Sequence, residues 1–157
     1  MNTIDKTAQS WRDLTDQLTA EQIQRFTWRE QVLHGTPEQI QSLLLDQAQE
    51  HAAGNRRDRE LFGAIPAPHG VEFVWHWTAD DNGQDWQRSL EGASRRIGEL
   101  VVSVNGTQRP DGSVQSYATI ESNTVEFDAA TVRQIAAELI AAADELDRLD
   151  GTAPPFV

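Results

Sequence analysis

Aromatic side chains near the middle of the chain form its most unusual chemical pattern. Phe73, Trp75 and Trp77 recur at every second position, and Trp86 follows beyond a turn-like segment. A period of two predicts a strand that points these rings to one face. Such a face can stack against a sugar, a nucleobase or a partner's side chains. We expect it mainly to be core beneath a helix, because each ring buries roughly 150–250 Å², with one edge near Trp77 or Trp86 exposed as an interface.

A tight turn is predicted to set the pairing of these rings. The dipeptide at 82–83, Asn-Gly, is typical of a two-residue hairpin turn. With that turn, Trp77 lies opposite Arg88, and His76 lies opposite Ser89. The end of the hairpin therefore brings together the residues of a candidate interface. These residues are Trp77, Trp86, His76 and Arg88.

A hydrolase-like triad can be imagined on the polar face of this hairpin. His76 faces Ser89 in the predicted register, and Glu91 lies diagonally opposite. A flat sheet supplies no oxyanion hole, and the sequence has no G-x-S-x-G elbow, P-loop or dinucleotide-binding glycine motif. The four His residues also lack a metal-binding spacing. We therefore lean against an enzyme and predict no catalytic, cofactor-binding or metal-binding residues.

The acidic turn at 80–85, DDNGQD, shares residue types with a calcium loop. It lacks the later bidentate Glu and the full alternation of ligands that an EF-hand uses. A hairpin turn explains the same residues, so we do not predict calcium binding.

Charge and composition narrow the classes of partner. The 157-residue chain has a net charge of −12 and no Cys. Residues 1–70 carry 7 basic and 10 acidic side chains, whereas residues 71–157 carry 6 and 15. An acidic half repels a phosphate backbone, so we expect no direct binding to nucleic acid. The sequence shows neither a run of about 18 apolar residues nor a signal peptide, so we expect a cytoplasmic protein with no membrane partner.

Acidic residues also cluster at the end of the last predicted helix. The helix dipole disfavours negative charge there. We interpret the cluster as a solvated acidic surface, and a surface for a basic partner is the alternative. The cluster consists of Asp144, Glu145, Asp147 and Asp150.

The first part of the chain, 1–62, is predicted to be a helical segment. Thr19 and Thr36 each open the pattern Thr-x-Glu-Gln-Ile-Gln, which fits a capping box at a helix start. Pro37 suits the first helical position, where its missing N–H costs nothing. Residues 63–70, GAIPAPHG, then read as a connector. We predict helices near residues 10–18, 20–34 and 37–53.

Residues 71–150 are predicted to form a four-stranded antiparallel β-meander and a long helix packed on it. The segment 109–112, Arg-Pro-Asp-Gly, is a turn between the last two strands. The strand before it is predicted at 96–105, with Gly106 marking a bulge. The tail 151–157 is expected to be extended. The fold class is therefore α+β.

The stretch 125–149 has the clearest periodicity and is predicted to be the helix that covers the aromatic face. Asp128 is the predicted N-cap, and Phe127 and Val132 occupy the positions of a hydrophobic staple. Apolar residues then recur at helical spacing. The predicted stripe consists of Val132, Ile135, Ala136, Leu139, Ile140, Ala143 and Leu146.

The second half of the chain resembles a family of small actinobacterial proteins, including actinophage and prophage products, with no assigned activity. The resemblance rests on VVSVNGTQRPDGSVQSYATIES and FDAATVRQIAAELIAAADELDRL. The first contains a G-x-Q-x-x-D-G-x-V turn, and the second is close to A-R-Q-I/L-A-A-x-L-I-x-A-A-D-E. The opening SWRDLTDQLTAEQI is also similar to the start of some members. The chain departs from the pattern at 131–134, where Thr-Val precedes Arg-Gln. The resemblance implies a small α+β unit and transfers no functional residue.

These patterns favour a non-enzymatic protein-interaction or regulatory accessory module. The resemblance adds a phage or prophage origin, and the partner is another protein or a second copy of the chain. One alternative is a small-ligand binder or enzyme that uses the aromatic face. Another is an acidic inhibitor that mimics nucleic acid and occupies a basic cleft.

Overall fold

A computed structural model describes residues 8–124 and 126–150 of the chain. Two compact units divide between Ala64 and Ile65. The first unit is helical, and the second holds an antiparallel sheet with a helix packed on it, so the α+β fold class is confirmed. None of the described helices is long and apolar enough to cross a membrane.

The helical unit begins its two long helices as the sequence predicts. A 3-10 helix spans Trp11–Gln17, α1 spans Ala20–Val32 and α2 spans Pro37–Phe62. The Thr19 hydroxyl accepts the N–H of Gln22, whose side-chain oxygen accepts the N–H of Thr19. The same reciprocal bonds join Thr36 and Gln39 at the start of α2. Both capping boxes are therefore confirmed.

Helix α2 is longer than the predicted helix near 37–53. It continues through Gly54 to Phe62, and Gly63 ends it with φ of +68°. Asn55 supports the continuation, because its amide donates to the carbonyl of Gln17 and to the side chain of Gln22. The core of this unit consists of Trp11, Leu14, Phe26, Leu44 and Ala48.

The second unit has five strands where the sequence predicts four. These are β1 Phe73–Val74, β2 Thr78–Ala79, β3 Trp86–Ile97, β4 Leu100–Gln108 and β5 Val114–Glu121. The sheet order is β1-β3-β4-β5, and β2 pairs separately with β3. All pairs are antiparallel, so the predicted meander is correct in direction but not in strand count.

The extra strand arises because the first predicted strand is interrupted. Thr78 pairs with Gln87, in the predicted register. Val74 pairs with Leu90, which is one residue out of that register. The slip falls at residues 75–77. A one-residue slip reverses which side chains share a face, so the rings before and after it do not form one continuous surface.

A second difference concerns the predicted strand at 96–105. Ile97 pairs with Leu100, and the two residues between them form a tight hairpin turn in which Gly98 has φ of +57°. The strand therefore contains a turn that the sequence analysis missed. The bulge lies between Glu91 and Ser94 of β3. Gly106, the predicted bulge, instead pairs regularly with Ser116.

Helix α3 spans Ala129–Asp150 and covers β4, not the aromatic face. The Asp128 carboxylate accepts the N–H of Thr131 at 2.7 Å, which confirms the predicted N-cap and lowers the pKa of Asp128. Val102 and Val104 of β4 are fully buried beneath the helix. The α3 residues in this core are Ile135, Leu139, Ala142, Leu146 and Leu149.

A buried carboxylate fixes α3 to the bulge of β3. Glu145 accepts the N–H of Ala93 at 3.2 Å and a guanidinium N–H of Arg95 at 2.9 Å. Only 5% of its side chain is exposed, which corrects the interpretation of Glu145 as part of a solvated acidic surface. Gly92 leaves room for it, since a Cβ there would lie 3.1 Å from the Glu145 carboxylate and 2.9 Å from the carbonyl of Val104.

We expect Glu145→Gln to lower the free energy of unfolding by about 2–4 kcal/mol, because the Arg95 guanidinium would lose its buried counter-charge. Urea unfolding followed by circular dichroism measures the change. Glu138→Gln is the matched control, since Glu138 also pairs with Arg95 but is 37% exposed, and it should cost about 1 kcal/mol or less. Equal losses in the two variants would contradict the anchoring role of Glu145.

Candidate functional site

The structure separates the aromatic residues that the sequence analysis places on one face. Phe73 and Trp77 are 2% exposed, whereas Trp75 is 42% exposed and Trp86 is half-buried. None of these rings belongs to the core beneath α3. Phe73 and Trp77 are therefore buried as expected, but the expectation that they lie beneath the C-terminal helix is wrong, and Trp75 is the ring of the first predicted strand that stays exposed.

Trp77 is held inside the second unit by a polar network. The guanidinium of Arg88 lies 4.7 Å from the centre of the Trp77 ring, a cation–π contact. Arg88 also donates to the side chain of Gln108 and to the carbonyl of Ile65. The side chain of Gln108, itself buried, donates to the carbonyl of Pro66. Trp77 and Arg88, two residues of the predicted interface, are thus engaged in supporting the fold.

A shallow groove of about 310 Å³ lies beside this network. It is lined by residues 65–69 together with Gln108, Gly112 and Val114. Its buried polar side chain is Gln108, whose hydrogen bonds are already directed to Arg88 and Pro66. The groove consequently offers mainly apolar contact, and His69 is the one titratable side chain among the described residues that line it.

The imagined triad does not keep its register. His76 falls within the slipped segment, and the carbonyl of Ser89 accepts the N–H of Trp75 at 2.9 Å. His76 is half-buried and Ser89 is exposed. Among residues 8–124 and 126–150, no three His, Cys, Asp or Glu side chains are grouped to hold a metal ion.

The acidic turn is closed by its own backbone. The Asp80 carboxylate accepts the N–H groups of Gln84 and Asp85 at 2.8 and 3.1 Å, and these bonds lower the pKa of Asp80. The N–H of Asp80 also donates to the carbonyl of Asp85. The loop is therefore wider than the predicted two-residue turn at 82–83, although Gly83, with φ of +69°, still provides the reversal.

The sheet face opposite α3 carries an aromatic row that the sequence analysis missed. The Trp75 indole N–H donates to the Glu91 carboxylate at 2.7 Å. Glu91 pairs with Asn105, and Asn105 pairs with the exposed Tyr117. At about 4.8 Å between strands, this aromatic row (Trp75, Glu91, Asn105, Tyr117) spans roughly 14 Å. Only the β3–β4–β5 register brings its members together, and that register depends on the missed turn.

The other feature is an uncovered apolar surface beside β5. Ile120 of β5 is 55% exposed, and Val132 and Ile140 of α3 are 50% and 64% exposed. These α3 residues belong to the predicted stripe but do not face the sheet. We define the α3–β5 surface as Ala118, Ile120, Val132, Ala136, Ile140 and Ala143, all of them exposed.

Two sets of contacts show which way this flank of α3 points. On one side of the helix, Glu138 and Glu145 reach Arg95 of β3. On the other side, Asp150 reaches β5, where it accepts the N–H and hydroxyl of Ser116. Val132 precedes Asp150 by 18 residues, or about five helical turns, so both point the same way. The exposed apolar flank therefore looks over the edge of β5.

The chain matches no protein family, no curated protein and no solved structure.

We expect Trp77→Ala to lower the free energy of unfolding by about 3–5 kcal/mol, because it empties a buried site. Trp75→Ala is the matched control and should cost roughly 1–2 kcal/mol, since Trp75 is 42% exposed and its removal empties no fully buried site. Urea unfolding of both variants measures the difference. A Trp75→Ala loss as large as that of Trp77→Ala would show that Trp75 acts as core.

Proposed function

We propose that this protein is a non-enzymatic protein-interaction module that binds its partner through the α3–β5 surface. The observation that carries the proposal is an apolar helix flank and an apolar edge-strand face that both remain exposed on the same side of the second unit. Exposed apolar patches next to polar surroundings are typical of protein-binding sites. The proposal includes the accessory or regulatory role, the cytoplasmic location and the phage or prophage origin that are expected from the sequence.

The charged residues support an interaction role over the two other classes. The buried carboxylate of Glu145 is neutralised by the half-buried guanidinium of Arg95. Asp150 and Asp111 accept hydrogen bonds from serine residues of the sheet and its turn. Because these three acids already accept hydrogen bonds within the second unit, they are not placed to act as a general acid–base pair or to face a basic cleft.

A photo-crosslinking experiment tests the proposed surface. We expect a photoreactive phenylalanine analogue in place of Ile140 to form covalent protein adducts in cells of the natural host, because Ile140, at 64% exposed, is the most exposed large apolar residue of the flank. The same analogue in place of Gln134 is the matched control, since Gln134 is also exposed but lies towards the Glu138 side of α3. Denaturing gels and mass spectrometry detect the adducts.

Adducts at position 140 and not at position 134 would support the proposal. The proposal fails if neither position gives an adduct, or if both give the same mixture of adducts. Thermal unfolding of each labelled protein checks that the fold is intact.

The aromatic row favours a second candidate function, the binding of a small polar ligand with flat apolar faces, such as a short oligosaccharide that spans the roughly 14 Å between Trp75 and Tyr117. Trp75 and Tyr117 offer exposed rings on the same face of the sheet, and Glu91 and Asn105 lie between them with hydrogen-bonding groups. Aromatic rings stack on such ligands, while amides and carboxylates bind hydroxyl groups.

Nuclear magnetic resonance titration with soluble oligosaccharides tests this second function. We expect the indole N–H signal of Trp75 to shift while that of the buried Trp77 stays in place, and Tyr117→Ala to weaken binding about tenfold. An unchanged Trp75 signal across the series, or equal shifts of both indole signals, would rule out this use of the aromatic row.

A further inference from the structure

On the outer edge of β5, backbone groups of Ala118 and Ile120 are not paired with any strand among residues 8–124 and 126–150. β5 is the last strand in the sheet order of the described residues. In an antiparallel pair, successive residues direct their N–H groups to alternate sides of the strand. The N–H of Ser116 donates to Asp150, and so it points away from β4. Ala118 and Ile120 have the same parity and therefore present their N–H and C=O groups outwards.

Asp150 limits how much of this edge can be used. Its carboxylate accepts both the N–H and the hydroxyl of Ser116, at 3.2 and 2.5 Å. An incoming strand cannot pair at Ser116 without displacing it. The outward N–H and C=O groups of Ala118 and Ile120 remain for a partner. A partner strand can therefore pair only over a short stretch and in a defined register.

The register that uses both residues is self-complementary. If two β5 strands pair antiparallel about a two-fold axis at Thr119, Ala118 of each copy faces Ile120 of the other on the helix side of the sheet. On the opposite side, Tyr117 faces Glu121 of the other copy, so a phenol donor meets a carboxylate acceptor. A small residue therefore meets a large one, and no like charges meet at these positions.

We propose that the partner of the α3–β5 surface is a second copy of this chain, joined through antiparallel β5–β5 pairing about Thr119. The proposal rests on the proposed function, because it names the occupant of the same surface. The pairing joins the two sheets into one and places the exposed flank of each α3 over the junction, which removes Ile120 and Ile140 from water. A two-fold axis makes the contact closed, so assembly ends at the dimer.

Because the sequence contains no Cys, any disulfide formed after a single Cys substitution must join the introduced residues of two copies. Thr119 would lie on the axis in a non-hydrogen-bonded pair, with Cα atoms about 4.5 Å apart. That distance lies within the range that a disulfide spans. We expect Thr119→Cys to give a covalent dimer on mild oxidation, seen on a non-reducing gel. The matched control is Gln115→Cys, a site on the same strand and sheet face, which should give at least about tenfold less dimer because its copies lie far from the axis.

Light scattering of the unaltered chain at rising concentration supplies an independent readout, with a mass twice that of the chain expected. Ala118→Pro should return it to the monomer, because proline removes an outward N–H without removing a bond to β4. Val114→Pro, which has the same parity but lies beyond Ser116, should remain a dimer. A monomeric unaltered chain, or equal crosslinking at 119 and 115, would overturn the dimer. If position 140 then still crosslinks a different protein, the proposed function stands, and if it crosslinks nothing, both fail.

Discussion

The second unit depends on one buried carboxylate. Glu145 binds the N–H of Ala93 in the bulge of β3 and the guanidinium of Arg95, so a single side chain connects the irregular part of the sheet to the helix above it. The bulge in turn requires Gly92, because a Cβ there would press against the carbonyl of Val104 and the carboxylate itself. Bulge, glycine and carboxylate therefore form one structural device, and it determines the rotation of α3 about its axis. That rotation decides which apolar residues are buried and which are left facing solvent.

Sequence patterns predicted the parts of this fold that local chemistry specifies. The capping boxes at Thr19 and Thr36 and the N-cap at Asp128 were correct because each depends on residues three positions apart. Non-local features were harder. The Gly98 turn lacks the Asn-Gly signature, and the slip between β1 and β2 leaves no trace in an alternating sequence. Periodicity likewise gave a helical stripe of Val132 through Leu146 that was too wide, because it cannot tell a buried apolar residue from an exposed one.

In the candidate sites, too, local features were predicted and non-local contacts were not. The sequence predicted an aromatic face with one edge exposed as an interface, and it placed Trp77 opposite Arg88. It could not show that Arg88 also donates hydrogen bonds to Gln108 and to the carbonyl of Ile65. Because of these bonds, Trp77 and Arg88 support the fold. Conversely, Tyr117 and Trp75 lie far apart in the chain and share the aromatic row only through the register of three strands. The α3–β5 surface was hidden for a related reason, since its helix residues were assigned to the core.

The hydrogen bonds between Asp150 and Ser116 have a consequence for the behaviour of the protein at high concentration. An exposed edge strand is a template on which further strands can add without limit, and proteins commonly block such edges with charge. In this protein the blocking residue is Asp150, the last residue of α3, so the block depends on the final turn of that helix being formed. When that turn is wound, Asp150 occupies the N–H and hydroxyl of Ser116 and keeps a further strand from pairing there. If the turn frays, Ser116 loses this block, and a longer part of the β5 edge is exposed to the strand addition that leads to fibrous aggregation.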